Sequence, residues 1–120
     1  MQLNHTVLIV DDHATFRASA RLLLESEGFE VVGEAADGES AIVQNEALEP
    51  EVILLDVQLP GLNGFEVCSR VTGTDGAPAV ILVSSRDGHD FGPLITACGA
   101  RGFVGKAELS GDRVRSLLEG

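Results

Sequence analysis

The sequence predicts one α/β domain over residues 1–120: a doubly wound sheet of five parallel strands in a three-layer α/β/α sandwich. Three observations carry that expectation. Strand-length apolar runs alternate with amphipathic helical segments five times along the chain. The runs are apolar throughout rather than at every second residue, which marks strands covered on both faces. The 120 residues, 44% of them hydrophobic, suffice for one self-supporting core without disulfides or a structural metal. Right-handed crossovers then set helices on both sides of the sheet.

Each element has its own signal. Thr6–Val10 reads TVLIV, β-branched and of strand length. Phe16, Ala20, Leu23 and Leu24 follow at helical spacing, and Gly28 supplies a stop. Glu30–Ala35 is a second strand. After Asp37 and Gly38, residues 39–48 form a helix with Ala41, Ile42 and Leu48 as its apolar set, closed off by Pro50. Residues 51–56 (EVILLD) are the most apolar strand. A loop with Pro60 and Gly61 leads to a helix over 64–71 with Asn63 as N-cap. Residues 79–83 (AVILV) form a fourth strand. A helix is expected around 91–98, the element most disturbed by glycine and proline (Gly88, Gly92, Pro93). Gly102–Gly105 is a short fifth strand. A last helix, capped by Ser110 or Asp112, buries Val114, Leu117 and Leu118.

Composition removes several function classes. The net charge of −11 argues against nucleic-acid binding by this domain, because phosphate affinity comes from Lys and Arg. No basic cluster suits anionic lipid, and no apolar run approaches the roughly 20 residues of a membrane helix. Residues 1–4 lead straight into a strand with no signal-peptide pattern, so a cytoplasmic protein is expected. Cys68 and Cys98 are expected to be buried reduced thiols.

In doubly wound sheets, ligands bind beyond the carboxyl ends of the strands. The first strand ends in Asp11-Asp12, the third in Asp56, the fourth in Ser84-Ser85, and the fifth just before Lys106, the chain's one lysine. Three carboxylates gathered in one cleft repel unless a cation neutralises them. A hard, oxygen-ligated ion such as Mg²⁺ suits such a set.

The motifs VLIVDDH (7–13), ILLDVQLPGLNGFE (53–66), ILVSS (81–85) and GFVGKAEL (102–109) occur in that order. With them the chain resembles a response-regulator receiver domain of bacterial two-component systems, of flavodoxin-like fold, closest to receivers that precede a helix-turn-helix output domain. The resemblance implies that Asp56 accepts a phosphoryl group from a histidine kinase. It implies that Asp11, Asp12, Asp56 and the backbone carbonyl of Gln58 hold Mg²⁺. It also makes Ser84 and Lys106 the groups that meet the phosphoryl oxygens, and Phe103 the aromatic switch beside Ser84. The strand 4–helix 4–strand 5–helix 5 face would then change conformation. A DNA-binding output domain outside this chain and a phosphorylation-dependent homodimer are the further implied partners, and no multiple-turnover enzyme activity is expected.

The chain departs from the family pattern where Ala107, not proline, follows Lys106, and where Phe103 lacks a ring hydroxyl. Gln58 and Arg86 flank the path of an attacking water. His13 reads as a helix-start residue near the cleft rather than a ligand. The alternative enzyme reading is a small Mg²⁺-dependent phosphatase with an aspartate nucleophile, but its second carboxylate would stand where Gln58 is. An FMN-binding flavodoxin would need a Ser/Thr/Gly-rich loop after the first strand, where this chain has DDHATF.

Overall fold

The computed structural model describes residues 5–73, 75–85 and 91–119. Five strands, β1 (Thr6–Val10), β2 (Glu30–Ala35), β3 (Val52–Asp56), β4 (Ala79–Ser84) and β5 (Gly102–Gly105), pair in parallel in the order β2-β1-β3-β4-β5. The helices between and after them are α1 (Ala14–Ser26), α2 (Gly38–Leu48), α3 (Gly64–Thr72), α4 (Leu94–Ala97) and α5 (Gly111–Glu119). The chain winds outward from β1 to β2, then crosses back to β3. The strand order therefore reverses between β1 and β3, where such sheets open their ligand crevice.

Strand pleating splits the core into two layers. Leu8, Val10, Ile53, Leu55, Val80 and Leu82 pack with Ala41 of α2, Val67, Cys68 and Val71 of α3, and Cys98 after α4. Val7, Ile9, Val52, Leu54, Ile81, Val83 and Val104 pack with Ala20 and Leu24 of α1 and Val114 of α5. All five residues of β3 are buried, because helices cover both faces of the central strand. This is the expected three-layer sandwich.

Local chemistry sets the boundaries. Gly28 takes φ +95° just past Glu27, the C-cap of α1, and Asp37 caps α2 by accepting from Ser40 N at 2.8 Å. Asn63 caps α3 in a reciprocal box: its side chain accepts from Glu66 N, and Glu66 accepts from Asn63 N. Ser110, not Asp112, caps α5, its hydroxyl accepting from Arg113 N at 3.1 Å.

Two expectations change. The helix expected over 91–98 shrinks to the single turn Leu94–Ala97, because Gly92 takes φ +49° and Pro93 holds the N-cap position. Leu48 is 40% exposed rather than buried, since it lies over the edge strand at Gly33, which has no side chain to enclose it.

Cys68 and Cys98 are buried free thiols, Cys68 Sγ donating to Cys98 O at 3.2 Å, and burial raises the Cys68 pKa well above the ordinary thiol range. Among the described residues, no helix is long and apolar enough to cross a membrane.

Candidate functional site

The strand ends deliver their polar groups to one place. Asp11 continues β1, its N–H donating to Ala35 O at 3.0 Å, and its side chain is fully buried. Asp12 is exposed beside it. Asp56 ends β3 at 3% exposure. Lys106 begins a 3-10 turn (Lys106–Glu108) directly after β5, and its peptide bond to Ala107 is trans. Its ammonium lies 2.6 Å from Asp11 Oδ2 and 3.3 Å from Asp56 Oδ2. One cation thus bridges the ends of β1 and β3 from the end of β5.

The surroundings of these charges set their titration. Burial raises the Asp56 pKa above the ordinary carboxylate value and the Asp11 charge adds to the rise, while the Gln58 N–H and Lys106 oppose it. Burial works against the Lys106 ammonium, but its contacts with Asp11 and Asp56 prevail and its pKa is raised. The Phe16 ring, 4.5 Å from Nζ, adds a cation–π contact from α1.

The acidic set fits a divalent cation. Asp11 Oδ2 is buried, and the charge that meets it is the Lys106 ammonium at 2.6 Å. Ligand atoms of Asp11, Asp12, His13 and Asp56 all lie within 4.8 Å of one another. Gln58 is exposed; its backbone N–H donates to Asp56 Oδ1 at 3.1 Å, which fixes the carboxylate from below the loop. α3 starts against the same loop, with Gly64 N donating to Val57 O at 2.8 Å.

Ser84 and Phe103 occupy the neighbouring strands. Asp56 pairs in register with Val83, so Ser84 stands one residue beyond it on β4, buried. By alternation Ser84 shares a face with Leu82, and Leu82 pairs with Phe103. Phe103 is half-buried on that face and meets Phe91 at a ring-centroid distance of 5.8 Å, with Phe65 of α3 a further 5.5 Å from Phe91. Of the expected site residues, Asp11, Asp12, Asp56 and Lys106 therefore converge. Ser84 lies beside them and Phe103 one layer behind. Arg86 lies outside the described residues.

Three contacts escaped sequence reasoning: Lys106 with Asp11, Phe16 under the ammonium, and an arginine brace. Arg17 of α1 donates to Asp11 O at 2.6 Å and to Glu34 of β2 at 3.1 Å, and Arg21 donates to Glu34 at 2.7 Å. Spacing hinted at the brace, since Arg17 and Arg21 are one helical turn apart. The hydrogen bond from Arg21, joined by that from Arg17, outweighs desolvation and holds the Glu34 carboxyl below its ordinary pKa. A depressed carboxylate contributes stability above its unfolded pKa, and the contribution is lost as pH falls through the folded one. Glu34→Gln should therefore cost about 1 kcal/mol at pH 7, discounted for partial exposure, with the deficit shrinking below about pH 4. Urea melts at pH 7 and pH 3.5 read this directly; a deficit that grows on acidification would contradict it.

The family model of the response regulator receiver domain matches residues 7–118. The DNA-binding transcriptional activator EvgA of Escherichia coli strain K12 is 35% identical over 101 residues, which are 84% of this chain and 50% of EvgA. The chain spans about half the length of the curated relatives it matches. The signal receiver domain of NarL from Mycobacterium tuberculosis superposes with a TM-score of 0.86 at 33% identity, covering 98% of this chain and 96% of that one. A chain of the CheX–CheY–BeF3–Mg²⁺ complex from Borrelia burgdorferi does so with a TM-score of 0.84 at 26% identity, covering 97% and 87%.

Proposed function

The chain belongs to the response regulator receiver family, and on that premise we propose that residues 1–120 form one phosphoryl-accepting switch whose acceptor is Asp56. The observation that carries the proposal is the Lys106 ammonium set between Asp11 and Asp56 at 2.6 and 3.3 Å. It gives a nearly buried carboxylate nucleophile a cationic partner at the point where transferred charge would arrive.

In this reading a carboxylate oxygen of Asp56 attacks phosphorus, the bond to the donor's histidine nitrogen breaks, and an acyl phosphate forms. Lys106 pairs with the new equatorial oxygens, and the Ser84 hydroxyl donates to one of them. Asp11, Asp12, Asp56 and the carbonyl of Gln58 are the residues that would hold Mg²⁺, which when bound neutralises charge on the transferred group. A relative of this fold was solved in a complex containing BeF3 and Mg²⁺, which supports the assignment. Gln58 offers no second carboxylate for acid–base work, so the phosphatase alternative lacks its proton carrier.

The conformational output follows from the aromatic row. A shift of Ser84 toward the phosphoryl group alters the space open to Phe103, and Phe103 packs on Phe91, just ahead of α4. The signal is then read on the α4–β5–α5 face by a DNA-binding output domain outside these residues, or by a second copy of the domain. A histidine kinase is the donor, and the cytoplasm the compartment.

Incubation with acetyl phosphate and Mg²⁺ should add one phosphoryl group by intact mass. The adduct should be labile to hydroxylamine, dependent on Mg²⁺, and absent from Asp56→Asn. The same adduct on Asp56→Asn would move the acceptor elsewhere.

A further inference from the structure

His13 holds the N-cap position of α1, yet its side chain makes no capping bond. N-caps favour short oxygen-bearing side chains that accept from the first-turn N–H groups. The His13 ring turns the other way, to the acidic cleft. Its Nδ1 lies 3.1 Å from Asp11 Oδ1 and 3.1 Å from Asp12 Oδ1. Those distances bear on metal binding. Two ligands about 2.1 Å from one ion and at right angles to each other stand roughly 3.0 Å apart. In the metal-free cleft the contact to Asp11 is a hydrogen bond and that to Asp12 an ion pair, and the same spacing suits an adjacent ligand once a cation takes their place. With Asp56 these residues form one cluster whose ligand atoms all lie within 4.8 Å of one another.

We propose that His13 makes the cleft a mixed nitrogen–oxygen site whose preference extends to transition-series dications of the Co²⁺ and Zn²⁺ class. The inference rests on the reading that Asp11, Asp12 and Asp56 hold a divalent cation, and adds which ion they take. Mg²⁺ is hard, keeps its waters and gains little from an imidazole. Co²⁺ and Zn²⁺ bind imidazole nitrogen well, so a fourth protein ligand of this type discriminates between the two classes. Chelation by consecutive residues helps, because Asp11, Asp12 and His13 are already ordered by the His13 N–H, which donates to Asp11 Oδ1 at 2.8 Å.

The test titrates Co²⁺ and Mg²⁺ separately into the full chain by calorimetry, as wild type, His13→Ala and Asp12→Ala. With His13→Ala, Co²⁺ affinity should fall at least about tenfold more than Mg²⁺ affinity. In the proton NMR spectrum, Co²⁺-loaded wild type should show a hyperfine-shifted imidazole signal that His13→Ala lacks. His13 is largely exposed, so its removal leaves the core intact. An unchanged Co²⁺-to-Mg²⁺ ratio, or the same shifted signal in His13→Ala, overturns the role of His13 while leaving the acidic site standing. Equal affinity of wild type and Asp12→Ala for both ions would instead overturn the cation site itself, and with it this inference.

Discussion

Lys106→Met should destabilise the metal-free domain by about 2–4 kcal/mol and at the same time tighten its hold on Mg²⁺. Both effects have one origin. The ammonium pairs with both Asp11 and Asp56, which are 0% and 3% exposed. Removing one partner of a buried pair leaves the other charges uncompensated, and two facing carboxylates repel. The same ammonium occupies space and charge that a divalent ion would use, so its loss favours the ion. The pH dependence is bounded on both sides. Because the Asp56 pKa is raised, its ionisation costs stability as pH rises from the ordinary carboxylate value through the raised one. That loss should be larger in the variant, where the Gln58 N–H alone of the two opposing groups remains. Because the Lys106 pKa is also raised, its contribution is complete below the ordinary lysine value and vanishes as pH climbs through the folded one. The gap between wild type and Lys106→Met should therefore open above acid pH, hold at neutrality and close in alkali. Urea denaturation with and without Mg²⁺ across that range measures it. Equal stability at pH 7, or weaker Mg²⁺ binding in the variant, would show that Lys106 is not the counter-ion of the pocket.

Gly64→Ala should cost about 3 kcal/mol and loosen the Asp56 carboxylate at once. A Cβ on Gly64 would stand 2.4 Å from Asp56 O and 2.7 Å from Val57 Cα. Both are backbone atoms, so no rotamer relieves the clash. Either α3 lifts off the end of β3 or the loop after Asp56 moves. The hydrogen bond from Gly64 N to Val57 O breaks in either case, and the Gln58 N–H is drawn away from Asp56 Oδ1. Melting and Mg²⁺ titration should shift together, whereas a helix substitution remote from β3 would shift melting alone. A loss below about 1 kcal/mol with unaltered Mg²⁺ affinity would mean that the close approach of helix and strand is not needed.

The strand ends were legible because their information is local. Asp11-Asp12, Asp56, Ser84 and Lys106 each follow an apolar run, and the sheet topology brings those ends to one edge whatever the loops do. The cap of α3 was legible in the same way, from Asn63 and its position before the periodic residues. Side-chain reach was not. Nothing in the spacing tells that Lys106 reaches three strands over to Asp11, or that Arg17 grips the backbone of that residue from α1. The chain position of His13 is a helix-start position, yet its ring faces the carboxylates. The length of α4 failed for a different reason. Its apolar residues suggest two turns, but Gly92 in the left-handed region and the ring of Pro93 delay the start until Leu94.

That short helix has an energetic consequence. α4 buries none of its four residues, and Leu94 is 52% exposed. Opening it breaks a few turn hydrogen bonds, such as Ala97 N to Pro93 O and Cys98 N to Leu94 O, and returns little apolar surface to water. Such a unit undergoes local unfolding at a small fraction of the global free energy, while β3, buried along its whole length, opens only when the domain does. Local stability thus falls between β3, which ends in the proposed acceptor Asp56, and the single turn of α4. On the proposed function, the added charge at Asp56 is a modest perturbation, and the single turn of α4 is an element that a modest perturbation can shift.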